Sequence, residues 1–266
     1  MTGYPYLDAV LDQAGSVLAF AHRGGAGHPD LERLENTVRA FRHAVDLGYH
    51  YLETDVHVTS DGELVAFHDP VLDRLADRTG AILDLTAEEV AAVVIGEGHG
   101  VPTMAGLLEE FPDCRFNIDL KAPGAVPALA ALVERTKSHD RVLVGSFSLR
   151  RLNQFRSLTR GRVATSAAPA EVAAFLTLPL PRLARLVTRS RVRALQVPRK
   201  RGRLRIVTPG LVRRAHAAGA HVHVWTVNEP SEMNQLLDMG VDGLITDRTD
   251  VLKDVLVTRG LWRDHA

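Results

Sequence analysis

Short apolar runs alternate with longer stretches of helical period along almost the whole 266-residue chain. Such alternation is typical of repeated βα units, which build a parallel sheet. The runs predict strands at 17–21, 51–55, 115–120, 142–146, 163–166, 194–197, 221–225 and 243–246. The helical stretches are 37–47, 125–137, 149–157, 169–176, 209–218, 229–239 and 250–258. This count favours an α/β fold of the (β/α)8 TIM-barrel type, one domain over residues 1–266. An open doubly wound sheet is the alternative, because periodicity does not show closure.

One long segment between the second and third predicted strands does not fit the alternation. A Ser60-Asp61-Gly62 turn signal precedes the apolar run 63–67, which predicts a hairpin or an extra strand. We therefore predict that residues 56–112 form a small subdomain, inserted between the second strand and the second helix over the barrel mouth. Active sites of TIM barrels lie at that mouth, the C-terminal face of the strands.

Composition excludes several classes of protein. Lys and Arg together number 32, and Asp and Glu also number 32, which argues against a chain that binds nucleic acid over its whole surface. The single cysteine, Cys114, allows no intrachain disulfide and no cysteine metal site, and it is expected to be a small buried hydrophobe. The first residues lack a basic signal region, and no apolar run approaches a membrane span. We expect a cytoplasmic protein.

Carboxylates follow the second and third predicted strands. Because strand side chains alternate, Glu53 and Asp55 share a face and Thr54 points to the other side. Asp119 and Lys121 share a face in the same way at the end of the third strand. Hard oxygen ligands of this kind suit Mg²⁺ or Ca²⁺. Ordinary strand-end acids paired with basic neighbours are the alternative, although adjacent anions repel one another strongly without a cation.

Two histidines flank these acids in the chain. His22 and Arg23 follow the first strand and precede two glycines, which allow a close approach of the backbone to a ligand. Arg23 can bind phosphate oxygens in bidentate fashion. His68 follows the apolar run of the inserted segment. Since an imidazole titrates near neutral pH, two of them can supply a base and an acid.

Taken together, these segments form a set of motifs in a fixed order. The motifs are His22-Arg23-Gly24, Glu35-Asn36-Thr37, Glu53-Thr54-Asp55, His68-Asp69, Asn117-Ile118-Asp119-Leu120-Lys121, Trp225-Thr226-Val227-Asn228 and Asp242-Gly243-Leu244-Ile245-Thr246-Asp247. The chain therefore resembles the glycerophosphodiester phosphodiesterase family, in its bacterial, cytoplasmic form, from residue 19 to about residue 250.

The resemblance implies a TIM barrel with an inserted subdomain and a role in lipid and glycerol metabolism. It implies hydrolysis of deacylated phospholipids to glycerol 3-phosphate and an alcohol such as choline, ethanolamine or glycerol. The implied site comprises Glu53, Asp55 and Asp119 as ligands of Mg²⁺ or Ca²⁺, His22 and His68 as the acid/base pair, Arg23 and Lys121 as phosphate-binding residues, and Glu35 and Asn36 as residues that shape the pocket. Many members carry glutamate where this chain has Asp119, whose shorter side chain could bind through water or change the metal preference.

The chemistry of such a site follows from these groups. A metal ion neutralises charge on the phosphate, one histidine deprotonates the attacking hydroxyl, and the other protonates the departing alkoxide. We assign His22 as the base and His68 as the acid, and the reverse order stays open. The attacking hydroxyl is water or the glycerol 2-hydroxyl of the substrate. Trp225 and Phe147 are candidates for a pocket wall, whereas His221 and His223 are more typical of the barrel interior.

A basic stretch without any acidic residue runs from 172 to 228. Its cations are Arg182, Arg185, Arg189, Arg191, Arg193, Arg199, Lys200, Arg201, Arg203, Arg205, Arg213 and Arg214. A solvated basic face is the simplest interpretation. Sharper interpretations are peripheral contact of residues 182–205 with an anionic membrane and electrostatic capture of phosphodiesters. Nucleic-acid binding is not expected, because no stacking series of aromatic residues accompanies the arginines.

Three functions remain in competition. The first is a metal-dependent phosphodiesterase that acts on small glycerophosphodiesters. The second is a phospholipase D-like enzyme that acts on lysophospholipids or sphingolipids, with the apolar segment 175–187 against the acyl chain. The third is a catalytically silent barrel that binds phosphate esters or an anionic surface. Both histidines, the acids and Lys121 are all present, which argues against the silent barrel.

Overall fold

Eight parallel strands form the centre of the molecule. The structure is a computed structural model and describes residues 2–8, 17–178, 180–188 and 191–262. All strands of the described residues, in chain order, are β1 (Leu18–His22), β2 (Tyr51–Val58), β3 (Leu64–Ala66), β4 (Val94–Ile95), β5 (His99–Gly100), β6 (Arg115–Leu120), β7 (Val142–Gly145), β8 (Ala164–Thr165), β9 (Ala194–Pro198), β10 (Lys200–Arg201), β11 (Leu204–Arg205), β12 (His221–Trp225) and β13 (Gly243–Thr246). The eight parallel ones are β1, β2, β6, β7, β8, β9, β12 and β13.

Helices surround these strands. They are α1 (Pro5–Asp8), α2 (Val38–Asp46), α3 (Ala87–Ala91), α4 (Met104–Glu110), α5 (Ala125–Thr136), α6 (Leu149–Leu158), α7 (Pro169–Thr177), α8 (Pro181–Val187), α9 (Pro209–Ala217), α10 (Pro230–Asp238) and α11 (Thr249–Thr258). One-turn 3₁₀ helices lie at Pro29–Leu31, Ile82–Asp84 and His139–Arg141. Within the described ranges, no helix is long and apolar enough to cross a membrane.

The parallel strands close into a barrel. Hydrogen bonds connect them in the order β8, β7, β6, β2, β1, β13, β12, β9. The two outer strands of that order meet at a parallel bridge between Ser166 and Ala194, where Ala167 N–H donates to the Ala194 carbonyl at 2.8 Å. The predicted TIM barrel is therefore confirmed, and the open sheet is excluded. β2 runs three residues beyond its predicted end, because Val56 and Val58 pair with the antiparallel β3.

Apolar residues fill both sides of the barrel wall. Between strands and helices, Phe41, Phe116 and Phe155 are completely buried. Inside the barrel, Phe20 belongs to a cluster that α1 closes with Tyr6, whose ring packs against that of Tyr51 at 5.4 Å between centroids. Burial of this apolar surface is the main source of stability. The sequence did not predict this contribution of α1.

The segment 56–112 divides between two cores. Its middle part belongs to a second buried cluster, which contains Phe67, Leu72, Ile82, Val90 and Ile95 and also Leu31, Leu34 and Ala40 from the chain between β1 and β2. In contrast, α4 packs with the main core and serves as the helix that follows the second barrel strand. An inserted subdomain over the mouth stays a prediction.

Two elements of the basic stretch were not predicted. The first is α8, which follows the predicted α7 after β8. The second is the short antiparallel hairpin β10–β11, which follows β9. Pro181 begins α8, as proline suits the first turn of a helix. Arg189, which the sequence analysis counted in this stretch, lies outside the described residues.

Candidate active site

A cavity of about 620 Å³ lies at the C-terminal ends of the barrel strands. All predicted site residues except Glu35 and Asn36 line it: His22, Arg23, Glu53, Asp55, His68, Asp119, Lys121, Phe147 and Trp225. Glu35 lies behind this lining, held by arginines. Asn36 is buried and accepts a hydrogen bond from Thr54, which faces away from the acids, at 2.8 Å. Neither residue is therefore part of the cavity surface.

The carboxylates come together because of strand register. Asp55 of β2 pairs with Asp119 of β6, and Glu53 pairs with His22 of β1. The ammonium of Lys121 lies between two of the acids, 2.8 Å from Asp55 Oδ1 and 2.7 Å from Asp119 Oδ2. Lys121, which was expected to hold phosphate, thus compensates carboxylates in this structure.

Arg23 is held in a fixed orientation at the edge of these acids. Its backbone has a left-handed φ of 49°, and its N–H donates to Glu53 Oε2 at 3.1 Å. The guanidinium donates to Glu35 Oε1 at 3.1 Å and places Nε 3.0 Å from Asp55 Oδ2. The following Gly24 has a φ of 86°, and a Cβ there would lie 2.6 Å from that of Ala40. Only glycine fits this turn without strain.

The charge balance of the acids suits a divalent cation. Burial, together with the neighbouring Asp55, raises the pKa of Glu53 to about 7. Asp119 Oδ1 is buried and has no hydrogen-bond partner among the described residues. A bound cation would satisfy this oxygen and favour the ionised form of Glu53, because opposite charge stabilises a carboxylate. The donor set therefore fits the predicted metal type.

His22 forms an ion pair that joins the first and last barrel strands. Its Nδ1 lies 2.6 Å from Asp247 Oδ1, and its Nε2 lies 3.8 Å from Glu53 Oε2. Burial alone would lower the pKa of His22, but the charges of Glu53 and Asp247 outweigh it, so the pKa is raised. Asn228 fixes Asp247 by donating to Oδ2 at 3.0 Å and accepting from the Asp247 N–H at 2.9 Å.

Asp247 ends one of the sequence motifs but was not predicted as a site residue. Its position in the sequence could have indicated the role, because Asp247 directly follows β13, the last strand of the barrel. The last and first strands of a closed barrel are neighbours. The register places Thr246 beside Ala21, which brings the next residues, Asp247 and His22, together.

His68 forms the second histidine–carboxylate pair of the site, with the adjacent Asp69. Its Nδ1 lies 2.6 Å from Asp69 Oδ1, and Arg74 donates to Asp69 Oδ2 at 2.6 Å. Arg74 also donates to both oxygens of Glu35, at 3.0 and 2.6 Å. Burial would raise the pKa of Asp69, but Arg74 and His68 lower it overall. A chain of charges thus connects His68 through Glu35 to Arg23.

The opposite side of the cavity is largely apolar. Phe147 and Trp225 meet at the rim, with ring centroids 5.9 Å apart and planes at 76°. Phe147 remains 63% exposed, which leaves much of its surface available to a ligand. Further lining comes from Val172 and Leu176 of α7 and from Leu204 of the β10–β11 hairpin.

Several polar residues of the cavity floor were also missed. Asn117, Ser166 and Gln196 line it. Gln196 Nε2 lies 3.3 Å from Nδ1 of His223, which is completely buried inside the barrel. Burial lowers the pKa of His223 well below its ordinary value. That histidine therefore stays neutral and belongs to the interior, away from the acids.

A separate group of side chains with metal-ligand donor atoms lies outside the predicted ligand set. Donor atoms of His28, Asp30 and His43 all fall within 4.8 Å of one another. The two imidazole rings are in contact, with centroids 4.4 Å apart. None of the three lines the cavity.

Comparisons with known proteins agree with this geometry. A model of the glycerophosphoryl diester phosphodiesterase family matches residues 22–251. A Mycobacterium tuberculosis protein named "Probable glycerophosphodiester phosphodiesterase 2" is 43% identical over 251 residues, which cover 93% of this chain and 94% of that protein. A human protein named lysophospholipase D is 29% identical, covering 89% of this chain and 85% of its own length. A solved structure from Silicibacter pomeroyi superposes with a TM-score of 0.82 at 25% identity, over 98% of this chain and 100% of that one. The predicted resemblance and enzyme class are confirmed.

Proposed function

We propose, since the chain belongs to the glycerophosphoryl diester phosphodiesterase family, that it hydrolyses glycerophosphodiesters to glycerol 3-phosphate and an alcohol. One observation carries the proposal. His22 and His68, each paired with an aspartate (Asp247 and Asp69), line a single cavity together with the acids of β2 and β6. An acid and a base beside a cation-binding cluster are what cleavage of a phosphate diester requires.

Both histidines are oriented for proton transfer. Each uses Nδ1 on an aspartate, so each keeps Nε2 for the substrate, and the aspartate stabilises the protonated ring. We assign His22 to take the proton of the attacking hydroxyl as the new P–O bond forms. His68 then gives a proton to the alkoxide that leaves as the old P–O bond breaks. The attacking hydroxyl belongs to water, which gives glycerol 3-phosphate directly, or to the glycerol 2-position of the substrate, which gives a cyclic phosphate. In the second case water then attacks phosphorus and opens the ring to glycerol 3-phosphate, with His68 taking the proton of that water and His22 returning one to the departing 2-oxygen.

A divalent cation, Mg²⁺ or Ca²⁺, would be held by Glu53, Asp55 and Asp119. When bound, such an ion neutralises phosphate charge and makes phosphorus more electrophilic. Arg23 and Lys121 lie against the same acids and supply further positive charge for the phosphate. Glu35 acts indirectly, because it holds the Arg23 guanidinium in place.

The direct test is release of glycerol 3-phosphate from a panel of diesters with choline, ethanolamine and glycerol head groups. We expect no turnover after treatment with a chelator and recovery when Mg²⁺, Ca²⁺ or Mn²⁺ is added. Absence of turnover with every metal, while phosphate esters still bind, would identify a silent binding barrel and overturn the enzyme proposal. Full turnover in the presence of the chelator would show that the reaction does not depend on a metal ion.

The order of the acid and the base has its own test. With His22 as the base, the rate rises with pH as His22 loses its proton, above its ordinary pKa because that pKa is raised. Asp247→Asn removes one carboxylate that raises the pKa, so the rising limb should move to lower pH. Movement of the falling limb instead would reverse the two roles.

A second candidate substrate is a lysophospholipid or sphingolipid. It is favoured by the apolar wall, where Leu176, Leu204 and Ile206 continue the cavity away from the acids. The human relative named lysophospholipase D supports the same idea. Comparison of kcat/KM for glycerophosphocholine and lysophosphatidylcholine separates the two: a higher value for the soluble diester supports our first proposal, and a higher value for the lipid replaces it.

Three further features belong to the proposal. We place residues 56–112 over the mouth as an inserted unit, which is supported by the second buried cluster around Phe67, most of whose members come from this segment, and by the position of His68 on the cavity. We retain a cytoplasmic location as a prediction. We also retain contact of residues 182–205 with an anionic membrane as a prediction, which is separate from the proton transfers of the reaction.

A further inference from the structure

We propose that α8 and the β10–β11 hairpin form one docking face for an anionic lipid bilayer. The docking face comprises Pro181–Val187 and the segment 200–205. It lies beside the cavity, because Arg201 and Leu204 of the hairpin are also part of the cavity lining. The proposal therefore concerns where the cavity opens and not how the reaction proceeds.

Large apolar side chains project from the docking face. Leu186 is 73% exposed, Val187 is 65% exposed, and Leu204 at the hairpin is 63% exposed. The helix itself is anchored, since Ala184 and Thr188 on its other side are buried. Transfer of exposed leucine and valine side chains from water into the boundary between lipid headgroups and acyl chains lowers the free energy of the bound state.

Positive charge surrounds these apolar side chains. Lys200, Arg201, Arg203 and Arg205 are all exposed, as is Arg182 on α8. Within the described part of the chain, none of these five forms an ion pair with an acidic residue. Arg199, just before the hairpin, is different because it pairs with Glu232. No acidic residue occurs in the sequence from 172 to 228, so no acid of the same stretch compensates these five cations.

The combination favours lipid over two other occupants. A second copy of the chain, docked symmetrically, would place these arginines against one another, and like charges repel. Single-stranded nucleic acid needs aromatic or histidine platforms for base stacking, and residues 181–205 contain neither. An anionic bilayer matches both properties, because its headgroups attract the cations and its acyl boundary accepts the leucines.

The expected strength follows from the number of cations near the surface. Each lysine or arginine close to an anionic membrane contributes about a fivefold increase in partition coefficient. Removal of two of them should therefore weaken binding roughly 25-fold. Salt should weaken it further, because the interaction is screened beyond about 8 Å at physiological ionic strength.

Co-sedimentation of the full chain with vesicles tests the docking face without any assay of activity. One set of vesicles contains phosphatidylglycerol and phosphatidylcholine, and the other contains phosphatidylcholine alone. We expect binding only to the anionic set at low salt, a roughly 25-fold loss for Arg203→Ala with Arg205→Ala, and a severalfold loss for Leu186→Ser. These variants should keep the vesicle-free turnover of glycerophosphocholine.

Matched controls remove the same chemistry elsewhere. Arg39→Ala with Arg150→Ala deletes two exposed arginines from α2 and α6, and Leu83→Ser alters a leucine that is 63% exposed. Both controls should bind vesicles like the unaltered chain. Equal loss in the controls, equal binding to neutral vesicles, or absence of binding at low salt would overturn the proposal. Retention on poly(U) without vesicle binding, or a dimer that Leu186→Ser dissociates, would also overturn it and assign the face to another occupant.

Discussion

The charged wall and the apolar wall of the cavity are constructed in different ways. On the charged wall, which follows β1, β2, β6 and β13, nearly every side chain is held by another charge, as Lys121 is by Asp55 and Asp119. The apolar wall is supplied by α7, the β10–β11 hairpin, Phe147 after β7 and Trp225 of β12. On it, Phe147 and Leu204 are more than half exposed and outside any such network. A fixed network suits the reacting phosphate, since preorganised charge lowers the barrier. A loosely held apolar surface suits variable leaving groups.

This contrast predicts that substitutions on the charged wall lower kcat, whereas substitutions on the apolar wall raise KM. The largest effect is expected for Asp247→Asn, because loss of the carboxylate leaves His22 without the partner that orients it. We expect kcat to fall roughly 10²- to 10⁴-fold. Asp242→Asn is the matched control at the other end of β13 and should stay within about twofold. Equal losses in both variants would show that Asp247 is only structural.

Arg74→Ala should have an intermediate effect. Arg74 touches neither histidine, but it bridges Asp69 and Glu35 and so positions both His68 and Arg23. We expect kcat to fall about tenfold, with KM little changed and partial recovery in Arg74→Lys. Arg78→Ala, which removes a nearby exposed arginine, should be neutral. A change in KM alone would place Arg74 in substrate binding instead.

Trp225→Leu tests the apolar wall. The ring of Trp225 and that of Phe147 form an aromatic corner that can hold a quaternary ammonium. For glycerophosphocholine we expect KM to rise about threefold to tenfold with kcat within about twofold. Glycerophosphoglycerol, whose head group is uncharged, should be less affected. An equal rise for both diesters would show that the corner contacts the glycerol shared by both.

Glu53→Gln should change the melting temperature (Tm) by a few degrees, which is more than we expect for any apolar-wall variant. The folded pKa of Glu53 is about 7, against 4.5 ordinarily. The folded chain therefore keeps a proton that the unfolded chain releases, and stability falls as pH rises through that window. Without divalent ions, we expect Glu53→Gln to raise Tm by roughly 2–8 °C at about pH 8 and hardly at about pH 5. The same gain at both values would disprove the raised pKa.

Strand periodicity was sufficient to predict the barrel and most of the charged wall. Alternation placed Glu53 beside Asp55 and Asp119 beside Lys121, because a strand has only two faces. What it did not predict depends on closure or on loop paths. Asp247 meets His22 across 225 residues of chain, which requires that β13 return to β1. Arg74 reaches Glu35 through an irregular segment that no period describes.

Family resemblance added the roles of the histidines, which spacing alone does not assign. Its assignments of Asn36 to the pocket and of Lys121 to the phosphate stay predictions. Asn36 contacts Thr54 on the reverse side of β2, and Lys121 lies against Asp55 and Asp119. Helix α8 escaped prediction because its leucines are exposed, whereas sequence periodicity detects helices by the face that they bury.

Turnover of His22→Ala and of His68→Ala, measured with saturating divalent ion and a soluble glycerophosphodiester, tests the central claim most directly. The two residues come from opposite ends of the charge network, His22 from the barrel and His68 from the inserted segment, and each is proposed to move one proton. We predict that each substitution lowers kcat by roughly 10²- to 10⁴-fold while the folded state and ion binding are retained. A near-normal rate in either variant would contradict the claim that the two histidines form the acid/base pair.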